Sequence, residues 1–282
     1  MFNKIGVIGA GTMGVDVSTD LILHGIKVVL IDKDEATLTK ASQQIEKNIR
    51  FAPLLNSKIP KLSKDQIHQS ITLSVDLSAL NEVQFIVENV NEDWNIKSNL
   101  YSILNQELTK DVFIGANTSC TSITKISGLT KNPSKVIGVH FMNPVYLKDT
   151  VEVIKGYHTS EECINMTKQF LAEIDKKPII VNDYPGFVAN RISHLYMNEA
   201  AFVVQDQVAS PKNVDDIFKQ CFGHKMGPLE TADLIGIDTV VSSLNVLYES
   251  YQDPKYRCCP LLQKMVNAGY LGKKTGQGFY KY

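Results

Sequence analysis

Tryptophan occurs once in the 282 residues and cysteine five times, with no Cys-x-x-Cys pair and no His-spaced cysteine pattern. A zinc site of the usual kind therefore lacks a ligand set, and an odd number of thiols argues against a disulfide framework. Free thiols fit a reducing, cytoplasmic setting. Charge of one sign is also missing. The chain carries 29 basic and 30 acidic residues and has a pI near 6.6, so no nucleic-acid-binding surface is expected. No apolar stretch is long enough to span a bilayer, and the opening MFNKIGVIGAG holds no apolar signal segment. Internal repeats and low-complexity runs are absent. The length suits one large or two modest domains with a real core.

What is present begins at the N-terminus. Lys4 to Ile8 reads as a strand, followed directly by Gly9-Ala10-Gly11-Thr12-Met13-Gly14 and a helix-length segment, Val15 to His24, closed by Gly25. Lys27 to Ile31 is a second strand with Asp32 at its end. This is the order of a dinucleotide-binding βαβ unit. Gly9 permits the tight turn, Gly11 lets backbone N–H groups approach a pyrophosphate, and Gly14 allows close helix–strand packing. The helix N-terminus stabilises the anion. Asp32 would accept hydrogen bonds from a ribose diol and repel a 2′-phosphate, which favours NAD over NADP. Lys33, next to it, reads as solvated.

Residues 34–69 read as a helical hairpin, capped by Asp34 and broken at Pro53 and Pro60. Phe85 to Val87 is a buried strand ending at Glu88-Asn89, polar residues expected to face a ligand crevice. A helix over 94–108 carries Lys97. The strand Val112 to Ala116 ends in Asn117-Thr118-Ser119-Cys120-Thr121, either a hydroxyl-rich binding loop or a plain cap for the next helix. The run Val136 to Val139 ends at His140, Asn143-Pro144 signals a turn, and Thr150 to Ile154 sets Glu152 in apolar company. If the chain doubles back at Asn143-Pro144, His140 and Glu152 meet. A histidine held by a carboxylate has its tautomer fixed and suits a general base near neutral pH. The plain alternative is a satisfied core histidine beside a strand-edge glutamate.

A helix over 161–174 and a strand over 177–181 lead to a boundary at Asp183-Tyr184-Pro185-Gly186. Gly186 is expected to open a helix running to about residue 207, with Asn190 one turn in. Further helices start at Ser210-Pro211 and cover 229–251 and 261–268, before a glycine-marked tail. The predicted fold is α/β: an N-terminal Rossmann-type doubly wound parallel sheet with a helical hairpin insertion (1–184), then a C-terminal all-α domain (185–282).

The motifs GVIGAGTMG, NTSCTSIT, GVHFMNPV, VEVI, DYPGFVANR, KMGPLETADLIGIDT and GKKTGQGFYKY together resemble the L-3-hydroxyacyl-CoA dehydrogenases, over essentially the whole chain. That resemblance implies NAD-dependent oxidation of a 3-hydroxyacyl thioester. It makes His140 the general base and Glu152 its orienting partner, with Ser119 and Asn190 on the substrate's oxygens. Cofactor contacts would fall on the Gly9–Gly14 turn with Thr12 and Met13, and on Asp32, Glu92, Lys97, Asn117, Ser119, Asn143 and Lys274. A homodimer is implied as well.

The chain departs from the family in two places. NPVYLKDTVEV has Tyr146, Lys148 and Asp149 where apolar residues are common, and Asn48 stands where a CoA-contacting serine is usual, with no clear lysine match over 51–59. These departures resemble a branch in polyketide gene clusters that oxidises a glyceryl group on an acyl carrier protein toward hydroxymalonyl or methoxymalonyl units. The alternative is a 3-hydroxybutyryl-CoA dehydrogenase of fatty-acid or butanoate metabolism. A 6-phosphogluconate-like dehydrogenase would need a lysine where His194 stands. A non-catalytic NAD-binding structural protein would not need Ser119, His140, Glu152 and Asn190 together.

Overall fold

The computed structural model describes residues 2–282. The chain divides into two compact units, residues 1–184 and 185–282. Unit 1 is built on eight strands: β1 (Lys4–Ile8), β2 (Lys27–Ile31), β3 (Ile71–Ser74), β4 (Phe85–Glu88), β5 (Phe113–Ala116), β6 (Val136–His140), β7 (Thr150–Lys155) and β8 (Lys177–Asn182). They form one sheet in the order β3-β2-β1-β4-β5-β6-β7-β8. The first six strands run parallel, the Rossmann arrangement. The central strands β1, β4, β5 and β6 are almost wholly buried apolar runs, as a sheet covered on both faces requires.

β7 reverses direction against β6, and β8 follows β7 in parallel. The sheet is therefore mixed at this edge rather than wholly parallel. The connection 141–149 is too short for a crossover, which needs a dozen residues or more, so a hairpin-like return is the open route.

The helices of unit 1 are α1 (Thr12–Leu23), α2 (Glu35–Leu55), α3 (Lys64–Ser70), α4 (Trp94–Glu107), α5 (Ile123–Ser127) and α6 (Glu161–Glu173). Asp34, Ser63, Asp93, Ser122 and Ser160 cap α2 to α6 through side-chain hydrogen bonds. Among the described residues of unit 1, α1 alone has no side-chain cap. Its first N–H groups stay available for an anion. Ser122 is the cap of α5, so residues 117–121 are not needed for that task. Pro53 does not break α2 where the sequence suggested; it sits in the last turn, and the helix ends two residues later. The core joins Ile5, Val7, Leu21, Leu30, Val87 and Phe85, the last stacked on Phe170 at 4.8 Å.

Unit 2 holds α7 (Ala189–Gln205), α8 (Pro211–Phe222), α9 (Pro228–Ile235), α10 (Ile237–Tyr251) and α11 (Pro260–Asn267) around Met197, Ile237, Val240, Leu244 and Leu262. One expectation is corrected here. Gly186 does not open α7: Gly186 and Phe187 both take left-handed conformations, at φ 76° and 50°, and the helix starts at Ala189. Asn190 is thus its second residue. The stretch 229–251 is two helices, divided at Gly236 with φ 106°. The tail is fastened by buried carboxylates. Asp233 accepts from the N–H groups of Phe279 and Tyr280, and Asp215 from the Tyr280 hydroxyl.

Candidate active site

The sequence-predicted residues of unit 1 gather where the parallel strands end. Gly9 takes φ 91°, and a Cβ there would lie 2.8 Å from the Asn89 carbonyl oxygen. A Cβ on Gly14 would lie 1.8 Å from the Gly9 carbonyl oxygen, so only glycine lets α1 pack on the turn. Nothing lies within 4 Å of the Cβ position of Gly11, which leaves its backbone face open to a phosphate. Asp32 closes the turn: its Oδ2 accepts from Ala10 N–H at 2.8 Å and its Oδ1 from Asp34 N–H at 3.3 Å. Turn, uncapped helix and acid together fit a dinucleotide.

Glu88, at the end of β4, does not face a crevice. It is fully buried, accepting from Lys97 Nζ at 2.8 and 3.0 Å, Tyr101 Oη at 3.2 Å and Val90 N–H at 2.8 Å. Burial still holds its carboxyl above the usual range, against the pull of Lys97. Lys97 is itself fully buried on this carboxylate. Tyr101 is raised well above its ordinary value by the same burial and by the Glu88 charge.

Glu92 organises the loop after β5. It accepts from Thr118 Oγ1 at 2.8 Å, Thr121 Oγ1 at 2.8 Å and Ser119 N–H at 2.5 Å. Three donors on one carboxylate fix the backbone from which the Ser119 hydroxyl projects. Asn117, in the same loop, is buried and accepts from Phe141 N–H at 3.2 Å.

His140 is the last residue of β6 and pairs in register with Glu152 of β7. Its Nδ1 lies 2.9 Å from Glu152 Oε2, and both residues are buried. The antiparallel return at Asn143-Pro144 is what brings them together. Asn143 is exposed on that return.

The residues after it, 145–148, are tied down by groups that sequence reasoning missed. Lys176 donates to the carbonyls of Val145 at 2.9 Å and Lys148 at 2.8 Å, and pairs with Asp20 of α1 at 2.9 Å. Asp16, one turn earlier, accepts from Val145 N–H at 3.3 Å and from Asn48 Nδ2 at 3.4 Å. Burial raises the carboxyls of both Asp16 and Asp20. Two acids four residues apart on one face of an apolar helix were the available signal.

Asn190 and Lys274 lie in unit 2. The Asn190 carbonyl accepts from His194 Nδ1 at 2.9 Å. Lys274 Nζ lies 2.7 Å from Asp238 Oδ2.

Residues 4–184 match the NAD-binding domain of 3-hydroxyacyl-CoA dehydrogenase, and residues 186–282 match its C-terminal domain. A probable 3-hydroxybutyryl-CoA dehydrogenase of Deinococcus radiodurans is 39% identical over 99% of this chain and 100% of its own length. The 3-hydroxybutyryl-CoA dehydrogenase of Clostridioides difficile is 38% identical, with 99% of each chain covered. The crystal structure of (S)-3-hydroxybutyryl-CoA dehydrogenase from Ralstonia eutropha superposes with a TM-score of 0.93 at 34% identity, covering 100% of this chain and 99% of that one.

Proposed function

This chain belongs to the 3-hydroxyacyl-CoA dehydrogenase family, and from that premise we propose that it oxidises the 3-hydroxyl of an acyl thioester reversibly to the 3-oxo form. The cofactor is NAD. The observation that carries the reading is the His140–Glu152 contact between β6 and β7, in the same sheet whose β1 leads into the glycine turn.

When bound, NAD⁺ supplies the hydride acceptor. Asp32 favours it over NADP, and the Gly9–Gly14 turn with Thr12 and Met13 holds its phosphates. Glu92, Asn117, Ser119, Asn143 and Lys274 are further proposed contacts. Lys97, with its ammonium on Glu88, would act by fixing the end of β4. Glu152 engages Nδ1 of His140, so Nε2 is the atom assigned to take the hydroxyl proton. The carboxylate then offsets the charge on the imidazolium. The Ser119 hydroxyl hydrogen-bonds the reacting oxygen, and Asn190 the thioester carbonyl or the oxygen beside it.

Relatives named for 3-hydroxybutyryl-CoA make that ester the first substrate to test. One observation favours a second carrier, an acyl carrier protein bearing a glyceryl or similar group. Residues 47–64 carry five basic and no acidic side chains in a chain of net charge −1. Leu54 and Leu55, in the same stretch, are 77% and 64% exposed. Basic and apolar residues together suit an acidic protein surface. The family resemblance favours a homodimer, and five free thiols fit a reducing cytoplasm. NADH production from 3-hydroxybutyryl-CoA and from a glyceryl-loaded carrier protein, side by side, tests the reading. Turnover of the CoA ester supports the first carrier, turnover of the protein thioester alone the second, and turnover of neither overturns the proposal.

A further inference from the structure

The regular β5–β6 ladder ends at Ala116–Gly138, three residues before Phe141. Beyond that point the link from β6 to the end of β5 is made by a side chain, whereas β4 and β5 stay joined by the backbone through Asn117 N–H on the Glu88 carbonyl at 2.8 Å. Phe141 N–H donates to Asn117 Oδ1 at 3.2 Å, Asn117 Nδ2 to Asn89 Oδ1 at 2.7 Å, and Asn89 Nδ2 to the Val87 carbonyl at 3.1 Å. The chain of amides has only one polarity. A backbone N–H at one end can only donate, so Asn117 must present its oxygen there and its NH₂ to Asn89. A carbonyl at the other end can only accept, so Asn89 must present its oxygen to Asn117.

Resting on the proposed dehydrogenase reading, we propose that Asn89 and Asn117 are positioning residues for His140: the Asn117 amide stands in for a β5–β6 ladder bond, the Asn89 amide orients it, and together they set the peptide that follows the base. Glu152 holds the ring of His140, while the amides hold its backbone. The Asn89 carbonyl also backs the Gly9 turn, so one residue adjoins the nucleotide turn and, through its side chain, the base. Displacing a base by about 1 Å is enough to slow catalysis severely.

Asn89→Leu should lower kcat about tenfold while leaving the KM for NAD⁺ nearly unchanged. Asn89→Asp keeps an acceptor for Asn117 but cannot donate to the Val87 carbonyl when ionised, so it should restore only part of that loss. In an Asn117→Leu background Asn89→Leu should cost little more, because both act through one chain. Backbone amide exchange at Phe141 should quicken in Asn89→Leu while that of Val139 does not, a readout independent of turnover. Additive losses, an unchanged kcat, or a raised KM for NAD⁺ with kcat intact would each overturn the proposal. If the wild-type protein turns over no 3-hydroxyacyl thioester, the functional reading fails, and the exchange measurement alone decides the amide ladder.

Discussion

Two buried glutamates in unit 1 meet a basic partner at nearly the same distance: Glu88 with Lys97 at 2.8 Å and Glu152 with His140 at 2.9 Å. Their surroundings differ. The Glu88 and Lys97 side chains are both wholly excluded from solvent, and Tyr101 and Val90 engage the carboxylate as well. The His140 and Glu152 side chains keep 6% and 9% exposure. A lysine ordinarily stays charged through the neutral range, whereas an imidazole changes charge within it. The first pair is a fixed joint between β4 and α4. In the proposed mechanism the second takes up a proton, and the Glu152 carboxylate then offsets the imidazolium charge. On the proposed reading, the same carboxylate chemistry makes a rivet in one place and supports a base in the other.

Breaking the rivet should have the largest effect. Lys97→Met leaves Glu88 buried without its cation, at an expected cost of about 3–5 kcal/mol of stability. Because burial already raises the Glu88 carboxyl in the folded state, its contribution is fully present below its unfolded pKa. It is lost as pH rises through the folded value. Removing Lys97 raises that value further, so the deficit should widen from pH 5 to pH 8 in urea denaturation. A deficit that widened toward acid would mean that Glu88 is not the group left behind.

Breaking the base should affect rate more than stability. His140→Ala is expected to lower turnover at least ~100-fold, and Glu152→Gln about tenfold through loss of orientation. Stopped-flow NADH formation checks both. The comparison fails if Lys97→Met, in protein that is still folded, slows turnover as much as His140→Ala.

The legible parts of this chain are those in which backbone geometry is written into residue type. Glycines at 9, 11 and 14 followed by an acid at 32 specify a turn and a close approach, and the structure builds that turn with Asp32 closing it. The His140–Glu152 contact could be read only on condition that the chain doubles back at Asn143-Pro144, because β6 and β7 are buried on both faces and alternation there fixes no register. What could not be read were pairings set by tertiary packing. Lys97 finds Glu88 only because α4 lies against β4. Asp16, Asp20 and Lys176 meet only once α1 covers the 145–148 turn. The left-handed Phe187 shows no signal at all, since a phenylalanine ordinarily avoids that region.

The smallest expected effect tests whether burial or distance makes the rivet. Lys155 and Glu161 approach to 2.8 Å, the Lys97–Glu88 distance, but their side chains are 39% and 75% exposed. Water already solvates both charges, so pairing them gains little and removing one leaves no desolvated partner. Lys155→Met should therefore leave the denaturation midpoint nearly unchanged, and more nearly so in high salt, where exposed pairs are screened. Glu161 would keep its favourable place in the first turn of α6 without the lysine. If Lys155→Met proved as costly as Lys97→Met in the same denaturation experiment, the Glu88 joint would owe its strength to contact geometry. The distinction between a buried rivet and a working base would then have to rest on the proton chemistry of His140 alone.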